Sequence, residues 1–356
     1  MRGEADNQSS MICLASPETM VPQDHPLRGI KKLADKALLT LSPVFDEMYA
    51  QTGRRSIPPE RLLKALLLQV LFSIRSERQL CEQLRYNMLY RWFLDMSMTE
   101  EVFDRSTFTK NRDRMINHEV SAQFFVAVVA QAREADLMSS DHFSVDGTLL
   151  HAWGSLKSFR PKDEDDQDNN GWGDFKGSKR KNDTHESKTD PDAKLWRKGK
   201  GKEAKLCYGG NALMENRNGL LVDFRIDEIS GTLEREAALE MIAENVEGRC
   251  TVGADKGYDT RAFVDDLREL GGTPHVSQNI TEHRGSNIDG RTTRHVGYET
   301  STVIRRRIEQ IFGWMKTVGG MDRSRFRGLD RTRLAGYMTA AAYNLLRVSR
   351  LIHKVA

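Results

Sequence analysis

The hydrophobic period of this chain changes once, near residue 139, and that change limits the possible folds more than any other feature. Before it, from about 27 to 135, apolar residues recur at helical spacing. Pro58 and Pro59 open a helix running through Leu71, and Ser76 with Gln79 has the form of a capping box ahead of ERQLCEQL. Further on, DRSTFTKNRDRM places Ser106 or Thr107 before an amphipathic turn bearing Lys110, Arg112 and Arg114. Short consecutive helices ending in a basic one suit a helix-turn-helix on DNA, although any small helical bundle shows the same pattern. Residues 1–25 are mixed and polar, and are expected to be loosely ordered.

At HFSVDGTLLHAW the pattern becomes that of strands, with a strand around Val145 expected to end at Asp146-Gly147. A charged insert follows at about 157–204, acidic at 163–168 and then rich in Lys, Gly and Asn, with too little apolar surface to order itself. Beyond it, Val222, Phe224 and Ile226 alternate with Asp223, Arg225 and Asp227, as in a half-buried strand. Asn218-Gly219 predicts a tight type I′ hairpin joining that strand to KLCYGGNALM. A helix beginning near Thr232, a short strand ending at Asp255, a helix over RAFVDDLREL, a strand at PHVSQN and a long basic helix complete the order. The expected fold is therefore α/β: a mixed sheet flanked by helices, preceded by an all-helical region.

The net charge of +3 decides little, but its distribution does. From Ser301 onward twelve Lys or Arg face three acids, Glu309, Asp322 and Asp330, which suggests a polyanionic partner such as nucleic acid. Cys13, Cys81, Cys207 and Cys250 are far apart, a spacing that argues against a zinc module or a disulfide framework. No signal peptide is evident, and LLKALLLQVLF is too short to span a bilayer, so the chain is expected to be cytoplasmic with no membrane partner.

Three acids stand out by position: Asp146 and Asp255 at strand ends, and Glu309 within RRRIEQIFGWMK. Each has an ordinary structural explanation alone, since Asp-Gly is a common turn pair. Converging, they would repel unless cations neutralised them, and an oxygen-only donor set favours Mg²⁺ or Mn²⁺. At about 100° per residue, Ile304, Ile308, Ile311 and Met315 form an apolar stripe, with Arg305, Glu309 and Lys316 on an adjoining one. An Arg305–Glu309 ion pair, worth ~0.3 kcal/mol when exposed, accounts for Arg305 but not for Arg306, Arg307 or Lys316.

The strings SIPPERLLKALLLQVLFSIRSERQLCEQL, HFSVDGTLLHAW, NDTHESKTDPDAKLWRKGKGKEAKLCY, GADKGYDT, DGRTTRHVGY and RRRIEQIFGWMKT resemble those of bacterial insertion-sequence transposases, specifically the family numbered five. The resemblance runs from about His25 to about Leu351. It implies a ribonuclease-H-like catalytic domain over 139–356 with a DDE triad at Asp146, Asp255 and Glu309, and a DNA-binding and dimerisation domain over 26–138. The family signature of tyrosine, two residues, arginine, three residues, glutamate, six residues and lysine is matched by Arg305, Glu309 and Lys316, with Thr302 at the tyrosine position and Tyr298 out of register.

The resemblance implies that the triad would hold two Mg²⁺ ions, with Mn²⁺ as a substitute, for two-metal phosphoryl transfer on DNA. On that expectation Asp146 would serve both ions and Asp255 and Glu309 one each. The partners implied are the element's terminal inverted repeats, target DNA and a second copy of the chain in a synaptic dimer. Arg305, Arg306, Lys316 and Lys256 are expected on DNA phosphates. Trp153, Trp196 and Trp314 are candidates for base stacking and His151 for a general base, each against the alternative of core packing or a structural hydrogen bond. Two other readings remain at this level: a repressor or architectural DNA-binding protein of the same fold, and a nuclease that cuts without joining.

Overall fold

A computed structural model describes residues 16–49, 56–162, 180–197, 199, 201–281 and 285–355. The helical region contains α1 (Pro17–Met20), α2 (Leu27–Thr40), α3 (Ser42–Met48), α4 (Pro59–Leu71), α5 (Glu77–Tyr86), α6 (Met88–Phe93), α7 (Arg105–Asn117) and α8 (Val120–Glu134). Pro59 starts α4 with its fixed φ, and Glu60 lies in the first turn, where a carboxylate meets the positive helix end. Every residue of α4 from Leu62 to Val70 is buried, including Lys64, whose ammonium meets Asp35 at 2.6 Å and also pairs with Asp95. Ser76 caps α5 by accepting from Gln79 N at 3.1 Å, as expected. The cap of α7 is Asp104, upstream of the predicted Ser106 or Thr107.

The second region contains β1 (His142–His151), β2 (Phe159–Pro161), β3 (His185–Ser187), β4 (Lys194–Trp196), β5 (Lys205–Glu215), β6 (Leu221–Glu228), α9 (Leu233–Asn245), β7 (Cys250–Ala254), α10 (Arg261–Glu269), β8 (Gly272–Val276), α11 (Gly290–Thr293), α12 (Val296–Ile304), α13 (Arg307–Thr317) and α14 (Leu329–Val355). The main sheet runs β6–β5–β1–β7–β8, with β4 in line with β6 along the same edge of β5. The first three are antiparallel, while β1, β7 and β8 are parallel and joined through helices. That strand order is the ribonuclease-H-like arrangement expected above.

Both faces are covered, which explains why β5 is buried almost end to end. On one face Phe143, Val145, Leu213 and Val252 pack against Ala238 and Met241 of α9 and Phe263 and Leu267 of α10. On the other, Leu150, Ala212, Phe224 and Ile226 meet Ile308 and Ile311 of α13 and Met338 and Ala341 of α14. This second core also takes in Phe124, Phe125 and Val128 of α8 and the leucines of α4, so the helical region and the sheet share one apolar interior.

Four local expectations change. The predicted type I′ turn is a longer loop over 216–220, in which Gly219 has φ +69° and the buried Glu215 carboxylate accepts from the backbone N–H of Arg217, Asn218 and Leu220 at 2.8–3.0 Å. The alternation from Val222 to Ile226 is broken by a bulge: Met214 pairs with Leu221 and Leu213 with Asp223, which sends Val222 to the α9 face. The predicted long basic helix is two, α12 and α13, separated at Arg305 and Arg306. Within the charged insert the described stretches are ordered: β2 pairs with β3, β4 joins the main sheet, and Phe159 and Ala193 are buried. The acidic run at 163–168 lies outside the described residues.

The exposed edge of β6 is closed by a side chain. Asn344 of α14 accepts from Leu221 N at 3.0 Å and donates to Leu221 O at 2.8 Å, with both residues fully buried. Asn344→Ala leaves two buried backbone groups unpaired and is expected to cost about 2–4 kcal/mol, measured by denaturant unfolding. Among the described residues no helix is long and apolar enough to cross a membrane. Cys81, Cys207 and Cys250 are buried free thiols, and Cys13 lies outside the described residues.

Candidate active site

Asp146 is not at a strand end. β1 continues through Gly147 to His151 because β5 pairs with it along that whole length, and these bonds override the local turn preference of Asp-Gly. Asp255 does follow the last residue of β7, where its Oδ1 accepts from Gly257 N at 2.7 Å and caps the short 3₁₀ turn Lys256–Tyr258. The parallel register pairs His142 with Thr251, Phe143 with Val252 and Ser144 with Gly253. Continued two residues further, it brings Asp146 level with Asp255. Asp146 has the same strand parity as Leu150, whose side chain joins the α13 and α14 core, so it belongs to that face.

Asp255 acts on the buried Asp146 carboxylate. Burial first, then the charges of Asp255 and Glu234, push Asp146 up to about 7, with the Gly147 N–H and Arg305 pulling the other way. A raised carboxylate keeps its proton in the folded chain after the unfolded chain has lost it. Stability therefore falls as pH rises from the ordinary carboxylate range to about 7, and the penalty is complete above it. Asp146→Asn removes that penalty. In chelator at pH 8 the variant is expected to be more stable than wild type by about 1–4 kcal/mol, a gap that closes near pH 4.

Arg305 lies over β7 on the Asp146 face: a Cβ on Gly253 would be 3.2 Å from Ser144 Oγ and 3.4 Å from Arg305 Cβ. Its Nε is buried without a hydrogen-bond partner. Because it stands in the break between α12 and α13, it does not share a continuous helical stripe with Glu309 and Lys316, as the sequence arithmetic assumed. Ile308, Ile311 and Met315 are buried as predicted. Glu309 is exposed in the first turn of α13, the helix that packs beside β1. Among the described residues no three His, Cys, Asp or Glu side chains already stand grouped to hold one ion.

Of the predicted phosphate contacts, Arg306 and Lys256 are exposed; the neighbouring Arg307 donates to Asn216 O at 3.2 Å. Lys316, half-buried, lines a cavity of about 330 Å³ with His151, Trp196, Lys202, Lys205 and Cys207. His151 has a buried, unpartnered Nδ1, and burial lowers its pKa. Trp314 packs edge-on against Tyr343 at 5.5 Å, whereas Trp153 is 46% exposed. The basic helix of the helical region is less free than its sequence suggests. Arg112 is buried, paired with Glu77 and set over the Phe326 ring, and Arg114 lies over Tyr49 at 4.7 Å. Lys110 is exposed. Sequence reasoning missed Glu234, because an acid in the first turn of a helix is the commonest arrangement there.

The strand order β6–β5–β1–β7–β8, with one carboxylate on β1 and another just after β7, defines a ribonuclease-H-like domain. Residues 139–345 match the family model described as "Transposase DDE domain", and residues 15–114 match one described as "Transposase domain (DUF772)". The chain belongs to the DDE transposase family, whose catalytic domain cleaves and transfers DNA strands.

Solved structures similar to this chain include three transposase complexes. The piggyBac transposase synaptic complex with hairpin DNA is 10% identical, with 93% of this chain and 76% of that chain covered and a TM-score of 0.46. The Mos1 transposase paired-end complex with left transposon end is 10% identical, with 85% and 82% covered and a TM-score of 0.21. The Mos1 mariner paired-end complex with Mn is 11% identical, with 72% and 69% covered and a TM-score of 0.20.

Proposed function

We propose that this chain is an active transposase of the insertion-sequence family numbered five, which binds the terminal inverted repeats of its element, cleaves the ends and joins them to target DNA. The observation that carries the reading is the β1–β7 register, which sets Asp146 level with Asp255. The donor set suits hard divalent cations: it is oxygen only, and carboxylate repulsion contributes to holding Asp146 protonated near neutrality, a cost that a bound cation relieves.

Asp146, Asp255 and Glu309 would hold the ions, two Mg²⁺ per site with Mn²⁺ as substitute. Bound there, such ions supply Lewis-acid activation of the attacking oxygen and stabilisation of the leaving one. Asp146 must lose its proton to serve, so cation binding strengthens as pH rises through about 7. Glu309, exposed at the start of α13, would complete the set by turning its side chain toward the aspartate pair. Arg305, Arg306, Lys256 and Lys316 grip phosphates and fix the strand against the acids, which explains a lone glutamate among cations. The helical region, through Lys110 and its neighbours, contributes to DNA binding and to pairing two copies in the synaptic complex.

The test is direct. Purified protein with Mg²⁺ nicks DNA carrying the inverted repeats that flank its gene, and chelation stops it. Protein that binds those ends yet leaves them intact with Mg²⁺ or Mn²⁺ overturns the reading.

A further inference from the structure

Gly147 lies in extended backbone in the middle of β1, where any residue is conformationally acceptable. What the position excludes is a side chain: a Cβ there would lie 2.6 Å from Cγ and 2.7 Å from both Cδ and Oε1 of Glu234. Glu234 stands in the first turn of α9, so the helix sets its carboxylate onto the strand in the space a methyl group would fill. Opposite Gly147 on β5 is Asn211, and antiparallel partners share a face. Asn211 is 1% exposed, and neither its amide nitrogen nor its oxygen has a hydrogen-bond partner. Each such group costs about 1–3 kcal/mol when left unmet, so a buried amide on this face signals something polar that completes it.

Asp146 belongs to the other face, yet the two faces communicate here. β7 ends at Ala254 while β1 runs on to His151, so from Asp146 to Leu150, among the described residues, that edge of β1 has no strand beside it, until His151 bridges to Arg323. At that edge Glu234 lies against Gly147, the residue next to Asp146, and the β1–β7 register continued brings Asp146 level with Asp255, with Arg305 standing over Gly253 on the same stretch of sheet.

We infer that Glu234 is a further carboxylate of the cation site, reaching it from the α9 face through the gap kept open by Gly147, with Asn211 as the neutral polar group behind it. This rests on the proposal that Asp146 and Asp255 hold divalent ions. It makes the site four acids drawn from β1, the end of β7, α9 and α13.

The test uses the full chain without DNA and Mn²⁺ as probe, with binding followed by calorimetry and by electron paramagnetic resonance. Glu234→Gln weakens Mn²⁺ binding by at least about tenfold. Gly147→Ala, which displaces the same carboxylate without changing it, does likewise. The loss persists at about 0.5 M salt, because a direct ligand is not screened whereas a distant charge is. Circular dichroism in chelator establishes that each variant is folded, and a folding defect in one leaves the other to decide. Binding by the folded Gln variant within about threefold of wild type, while Asp146→Asn loses the ion, overturns the inference. Unchanged Mn²⁺ binding by Asp146→Asn itself would instead overturn the reading of the site on which the inference rests.

Discussion

Replacing Asp146 or Asp255 by asparagine is expected to reduce DNA end cleavage by more than about a hundredfold while end binding changes little. The two effects separate because different groups are responsible for them. On the proposed reading, binding rests on cations that meet phosphates, among them the exposed Arg306 and Lys256. Cleavage would rest on the carboxylates that the β1–β7 register, continued, brings level. Asparagine preserves size and hydrogen bonding but removes the charge that would hold an ion. Glu309→Gln is expected to behave in the same way. Because Glu309 is exposed, its substitution leaves stability unchanged, so lost cleavage there cannot be attributed to unfolding. Gel-shift and nicking assays on the same preparations measure both quantities. Wild-type cutting by the Glu309 variant would remove that residue from the site.

A large effect on stability is expected away from the Asp146, Asp255 and Glu309 set. Asp190 is fully buried: its Oδ1 accepts from the Tyr208 hydroxyl at 2.5 Å and from Gly328 N at 3.0 Å, while Asp192 accepts from Leu329 N at 2.9 Å. The stretch following β3 thereby holds the start of α14, the helix against which the sheet and the helical region both pack. Gly328 has φ +87°, a backbone position that favours glycine, and this lets the chain enter the helix with its N–H aimed at Asp190. Asp190→Ala strands the tyrosine hydroxyl and the Gly328 N–H inside the protein, at about 1–3 kcal/mol each. Removal of the unpartnered Asp190 Oδ2 offsets part of this, giving a net loss of about 2–4 kcal/mol by chemical denaturation. Asp192→Ala, at a more exposed carboxylate, is expected to cost about 1 kcal/mol.

Much of this architecture could be read from the residues, for identifiable reasons. The helical segments before 139 and the strands after it follow from apolar spacing, and Ser76 marked its helix start through a cap that depends on a few neighbouring residues. Expectations failed where distant contacts decided the outcome. Asp146-Gly147 favours a turn locally, yet β5 pairing carries the strand through it. Nothing in RRR signals a helix end, and the break at Arg305 appears only once α13 packs on the sheet. The strands of the insert are only three residues long, too short to show a period, and their partners order them. Glu234 was hidden because the fact that distinguishes it, its fit against a glycine on another element, exists only in three dimensions.

Asp146, Asp255 and Glu309, distant in the chain, are expected to gather around divalent ions when DNA is bound. A crystal structure of the protein with a cut DNA end and Mn²⁺, read by anomalous scattering, is the decisive experiment. Manganese is expected between Asp146 and Asp255, with the Glu309 carboxylate drawn onto it and the DNA 3′ end alongside. Manganese absent from that place, or bound there while Glu309 remains turned to solvent, would contradict it.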